Sequence, residues 1–456
     1  MTAHLLQRAV LPDGVADDVL VVVEDGRFAE VVPGADRPRR ALEVPGLTIP
    51  GLANAHSHAF HRALRGRTHA ASTGGEGSFW TWREQMYGVA ARLTPETYLV
   101  LARATYREMA AAGITAVGEF HYLHHRPDGT PYDDEDGGPN AMGLALVEAA
   151  RQAGVRLTLL DTCYLAGGFG EPVSGPQVRY DDGSAAAWRR RVDALEAAVG
   201  DRDDVVVGAA VHSVRAVPAA EMGEVAAWAA EHHRPLHLHL SEQPAENDAC
   251  LAATGLTPTG LAAREGLLGE RTSVVHATHL TDDDVATLGA ARAHACFCPT
   301  TERDLADGVG PSVPLREAGA RLTLGSDSHA VIDLLEEARA VELDERLVSG
   351  RRGHWSAADL LAAATADGHA SLGFGDAGRI EVGARADLVT LDDASVRTAG
   401  TGADLGTAVF AAAAEDVLRT VVDGRVVFRR ADRSALGREL AAAISAVISD
   451  VSEDPR

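Results

Sequence analysis

The chain has 456 residues, 46% of them apolar and 24% charged, which is too long for one ordinary small domain and rich enough for a large buried core. Acidic side chains outnumber basic ones 66 to 42, and the resulting net charge of −24 excludes nucleic acid or an anionic membrane as an electrostatic partner. No apolar run is long enough for a membrane-spanning helix, the N-terminus lacks a secretion core, and four cysteines fit a reducing cytoplasm better than a disulfide scaffold.

Residues 1–49 read as short strands and turns. Two β-rich runs, 19–24 and 27–32, flank Asp25-Gly26, a hairpin signal. The same pattern returns around Asp423-Gly424, after a short strand near Leu388. Residues 1–49 and 375–430 are therefore expected to form one small β-domain, a β-sandwich built from both termini. Residues 431–456, rich in alanine, predict a terminal helix.

Between them, residues 50–374 alternate apolar strands with helical spacing such as Thr94–Ala112 and Ala219–His232. Strands are expected before His56 and at 116–120, 156–160, 205–211, 236–240, 272–276, 294–298 and 321–325. Eight strands separated by helices make the fold class α/β, a (β/α)8 barrel, whose chemistry sits at the C-terminal strand ends. The Pro-, Gly- and Asp-rich segments 126–140 and 166–187 are long loops, candidates for a lid or a subunit contact.

Those strand ends carry donor side chains. Pro50-Gly51-Leu52-Ala53-Asn54-Ala55-His56-Ser57-His58 puts two histidines on one strand face, aimed at one point. The fifth strand adds His239, with His237 a layer deeper and Glu242 three residues beyond; the sixth ends at His276 and the eighth at Asp327. His56, His58, His239 and Asp327 suit one divalent ion, Zn²⁺ by default, although Fe²⁺ or Mn²⁺ accept the same ligands. Glu242 is placed to shuttle protons, His276 to polarise the attacked centre, and Asp327 to take a proton from water. Cys296-Phe297-Cys298, with no second cysteine pair, reads as apolar filling rather than a metal clip.

This constellation resembles the amidohydrolase superfamily, in its branch of mononuclear deaminases, over almost the whole chain. No lysine near the fourth strand could bridge a second ion, in keeping with one metal. Within that branch the chain is similar to the formimidoylglutamate deiminases of histidine degradation. The carrying stretches are Phe79-Trp80-Thr81-Trp82-Arg83-Glu84-Gln85-Met86-Tyr87, Gly118-Glu119-Phe120-His121-Tyr122-Leu123-His124-His125, His212-Ser213-Val214-Arg215 and Cys298-Pro299-Thr300-Thr301-Glu302. The resemblance implies a cytoplasmic homodimer that hydrolyses N-formimidoyl-L-glutamate to N-formyl-L-glutamate and ammonia. It implies that Arg83 and Arg215 hold the substrate's carboxylates while Tyr122 and His212 position the rest; arginine forks suit a dicarboxylate on physical grounds as well. His61 stands where the family pattern often has glutamine, and a histidine there is expected to alter substrate contacts or the pH profile by charging near pH 6–7. Two rivals share the barrel: a deaminase or chlorohydrolase acting on a heteroaromatic ring, and a catalytically silent barrel with a structural role.

Overall fold

The computed structural model describes residues 1–36, 40–68 and 79–448; the side chains of 79–81 and the end of the expected terminal helix, 449–456, lie outside the described residues. The apolar runs form eight parallel strands: Leu52–Ser57, Ile114–His121, Arg156–Cys163, Val205–Ser213, Leu236–Leu240, Thr272–His276, His294–Phe297 and Arg321–Leu324. They pair in sequence order. Ile114–His121 and Arg156–Cys163 are buried along their whole length, as expected of a parallel sheet covered on both faces. The barrel closes where the Asp327 N–H donates to the His56 carbonyl at 3.1 Å, so the first and eighth strands meet at the chemistry-bearing end.

Local signals explain where the covering helices begin and end. Thr94 caps helix Pro95–Ala111 by accepting from the Thr97 N–H, with Pro95 opening the first turn. The expected Ala219–His232 helix spans Ala219–Glu231. Loop 166–187 contains a short helix, Gly175–Tyr180, whose buried Arg179 donates to the carbonyls of His125 and Leu93 at 3.1 Å and also to that of Ala90. Those bonds tie this loop to the barrel mouth.

The two termini build one continuous mixed sheet of seven strands, in the order Arg425–Arg429, Val417–Val422, Leu388–Leu391, Leu42–Pro50, Thr2–Leu11, Gly14–Glu24 and Arg27–Val32. Its core includes Leu6, Val19, Val21, Phe28, Leu388 and Val421. Both Asp-Gly turns have left-handed backbone at both residues (φ 48° and 77° at Asp25-Gly26, 47° and 74° at Asp423-Gly424), the geometry of a two-residue type I′ hairpin. Leu42–Pro50 runs through Gly51 directly into the first barrel strand, so this sheet anchors the strand that carries His56. Helix Arg433–Ile448 packs on helix Pro95–Ala111, with Arg103 and Arg107 both paired to Glu439. Among the described residues no helix is long and apolar enough to cross a membrane.

Candidate active site

Four donor groups converge at the barrel mouth. Asp327 Oδ1 lies 3.3 Å from both His56 Nε2 and His58 Nε2, and His239 Nε2 lies 3.1 Å from His56 Nε2. His58 donates its Nδ1–H to the Phe120 carbonyl at 3.0 Å, and His239 donates its own to the His212 carbonyl at 3.0 Å. Both rings thereby turn bare Nε2 lone pairs inward, as ligating histidines do. At His58 that lone pair faces a carboxylate oxygen, acceptor against acceptor, an opposition that a cation between them relieves. Burial holds His56, His58 and His239 below the ordinary histidine range. Burial opposes ionisation of Asp327, but the surrounding histidines overcome it and hold that carboxyl well below its usual range. Three neutral imidazoles and one carboxylate fit a divalent ion. His237 stays outside this group, and the sequence contains no lysine to form a bridging carbamate.

A buried framework sets the two ends that meet here. Asn54 accepts from the Ser326 N–H at 2.9 Å and donates to Ser326 Oγ at 2.7 Å. Ser57 Oγ and the Ala59 N–H donate to the two oxygens of Glu119 at 2.8 and 2.7 Å, which fixes the turn between His56 and His58. Burial pushes the Glu119 carboxyl up to about 8. Gly325 has no room for a side chain, since a Cβ there would lie 2.7 Å from His56 Cβ. Asp327 and His276 have left-handed backbone, φ 39° and 68°, a strained conformation that non-glycine residues keep chiefly at functional sites.

His276 stands beside the donor group within reach of three carboxylates. Its Nε2 is 3.7 Å from Glu242 Oε1 and 3.9 Å from Asp327 Oδ2, and its Nδ1 is 3.4 Å from Glu302 Oε1. Burial disfavours the imidazolium, yet those carboxylates outweigh it and raise the His276 pKa well above the usual value. Burial raises Glu242, leaving a carboxyl suited to holding a proton. Glu302 also accepts from the Cys298 N–H at 2.9 Å. The sequence placed Glu302 in a recognisable stretch without a role; an acid in the first turn of the helix after the seventh strand was the available signal. Cys298 lies close to His276 and Asp327, and burial pushes its thiol well up, so it remains protonated.

A cavity opens over this centre, lined by His58, His239 and Asp327 of the donor group and by His61, Arg83, Tyr122, His212, Arg215 and Glu242 among others. All the residues given a role from the sequence therefore reach one cavity, except His56, which belongs to the donor group but not to the lining. Arg83 Nε donates to the Tyr87 hydroxyl at 2.6 Å. Arg215 is half-buried, and among the described residues its guanidinium makes no hydrogen bond or ion pair within the protein. Burial disfavours its charge, but Tyr164, Glu246 and Glu242 outweigh that penalty and raise its pKa. Burial, with the charges of Arg215 and Arg83 next, holds His212 neutral. His61 Nε2 lies 3.1 Å from the Tyr122 hydroxyl. The expected charging of His61 near pH 6–7 is corrected by the structure: burial pushes its pKa down to about 3, so it remains neutral. A second histidine group, His121, His124 and Asp161, lies apart from the cavity lining. There Asp161 already accepts from Arg191 at 2.7 and 2.9 Å and from Trp188 Nε1 at 2.9 Å, a structural arrangement.

Comparison with known proteins agrees with this architecture. The amidohydrolase family model matches residues 47–427. A formimidoylglutamate deiminase from Pseudomonas aeruginosa is 38% identical over 94% of this chain and 95% of its own. A 5-methylthioadenosine/S-adenosylhomocysteine deaminase from Halobacterium salinarum is 29% identical over 95% of this chain and 94% of its own. The crystal structure of an amidohydrolase from Brucella melitensis superposes with a TM-score of 0.89 at 30% identity, covering 98% of this chain and 100% of that one. The chain belongs to the amidohydrolase family, and it is a hydrolase acting on carbon–nitrogen bonds other than peptide bonds.

Proposed function

We propose that the protein deiminates N-formimidoyl-L-glutamate by hydrolysis, giving N-formyl-L-glutamate and ammonia, as a step of histidine degradation. The observation that carries the reading is Arg215. A half-buried guanidinium that makes no hydrogen bond or ion pair among the described residues, in a chain of net charge −24, is a site prepared for an anion. Arg83 lines the same cavity, so a substrate with two carboxylates can engage both while its formimidoyl end reaches Glu242, His276 and Asp327. A neutral heteroaromatic ring supplies no carboxylate for either arginine.

His56, His58, His239 and Asp327 would hold the ion, Zn²⁺ by donor type, which supplies a water acidified to a pKa of about 7. Asp327, at the centre of the donor group, is placed to accept a proton from the attacking water. His276, charged beside Glu242 and Glu302, donates a hydrogen bond at the attacked centre. Glu242 delivers one proton to the terminal nitrogen and the proton held by Asp327 supplies the second; as the bond from that nitrogen to carbon breaks and ammonia leaves, Glu242 takes up the hydroxyl proton and the formyl carbonyl forms. The bond between the formyl carbon and the glutamate nitrogen survives.

Ammonia release by zinc-loaded protein across a panel of formimino-, guanidino- and purine substrates tests the assignment. Selective turnover of N-formimidoyl-L-glutamate is expected; selective turnover of a purine, with none of this substrate, overturns it.

A further inference from the structure

Four tyrosines, Tyr87, Tyr122, Tyr164 and Tyr180, line the cavity. Three of their hydroxyls have protein partners. Tyr87 accepts from Arg83 at 2.6 Å, Tyr122 lies 3.1 Å from His61 Nε2, and Tyr164 accepts from Gln177 Nε2 at 2.9 Å. The fourth does not: among the described residues the Tyr180 hydroxyl is buried with no hydrogen-bond partner, on a side chain only 1% exposed. Buried polar atoms in native proteins are seldom left unpaired, so this hydroxyl, on a residue of the cavity lining, is available to a ligand.

The surroundings indicate which ligand group. The Tyr180 ring centroid lies 5.0 Å from that of Tyr122, 5.3 Å from that of Tyr164 and 6.4 Å from that of Tyr87, the ring that carries Arg83. Burial pushes the Tyr180 phenol well above its ordinary range, so its proton stays on and the group can donate. The position is rigid, because neighbouring Arg179 binds carbonyls of Ala90, Leu93 and His125. A fixed neutral donor beside an arginine suits a carboxylate, which accepts several hydrogen bonds at once.

We propose that Tyr180 is a positioning and specificity residue whose hydroxyl donates to the carboxylate held at Arg83, so that the cavity selects dicarboxylates. The identity of that substrate rests on the function proposed above; the need for a carboxylate does not.

Tyr180→Phe removes the hydroxyl and no bond within the protein. Ammonia release from N-formimidoyl-L-glutamate is measured together with equilibrium binding of glutarate, a plain dicarboxylate, and with the melting temperature. The expected result is a KM and a glutarate Kd each raised about tenfold, with kcat nearly unchanged and Tm no lower than wild type. Unchanged KM and Kd overturn the proposal. So does a variant that loses Tm or fails to fold, since that makes the hydroxyl structural. If the wild-type enzyme releases no ammonia from this substrate, the proposed function fails on its own, and glutarate binding still decides the role of Tyr180.

Discussion

Arg215 and His61 show how single residues divide between what a sequence discloses and what it conceals. Arg215 follows a strand-end His212, and its type already points to an anion. On the proposed function, removing it leaves the substrate's carboxylate without its charged partner, at a cost of roughly 2–5 kcal/mol. Arg215→Ala is therefore expected to lower kcat/KM for the proposed substrate at least about thirtyfold, mostly through KM, as steady-state assays will read. His61 is the opposite case. Its residue type suggests a titrating group, but burial holds its pKa down to about 3, and it acts as a neutral hydrogen-bonding partner of Tyr122. His61→Gln should keep kcat/KM within about threefold and leave the pH–rate profile in place, because a neutral amide makes the same type of bond. A shift of the profile on that substitution would return a charge to His61.

At the scale of elements, the strand ends carry the argument. Period-two alternation was enough to put His56 and His58 on one face, and barrel order was enough to nominate His239, His276 and Asp327. The supports behind them come from elsewhere in the chain. Glu302 lies on the helix after the seventh strand, yet its carboxylate reaches His276 on the sixth. Glu302→Gln should lower kcat about ten- to a hundredfold with little change in KM, since it removes a charge that keeps His276 protonated. Gly325 is legible as a turn residue, but only the closed barrel shows that a Cβ there would meet His56 at 2.7 Å. Gly325→Ala is expected to force the first and eighth strands apart and to weaken metal retention, read as ion content per chain after dialysis.

Across the whole molecule, the barrel and the terminal sheet are joined by a buried charge network. Arg156 on the third barrel strand pairs with Asp387 and, at 2.9 Å, with Asp423, both from the sheet side. Burial lowers the Arg156 pKa to about 10, so it stays charged at neutral pH. Removing one partner of such a pair costs about 3–5 kcal/mol, and Arg156→Ala should lower stability by that amount in denaturant unfolding. Glu119 adds a pH dependence of the opposite kind. Its folded pKa is raised to about 8 by burial, above that of an unfolded glutamate. Its contribution is therefore full below the unfolded value and is lost as pH rises from there through about 8, and Glu119→Gln should flatten that decline.

The resemblance singled out the two arginines, while the sequence by itself determined the alternation of strands and helices, the two Asp-Gly hairpins and the donor side chains at the strand ends. These follow from local rules: side-chain period, turn chemistry and donor type. Tertiary structure alone decided that Asn54 holds Ser326, that Glu302 serves His276, that His61 is neutral and that the Tyr180 hydroxyl lacks a partner. Each of these depends on which distant residues share a buried space, because burial sets pKa and hydrogen-bond satisfaction, and burial is a property of the closed barrel rather than of any segment.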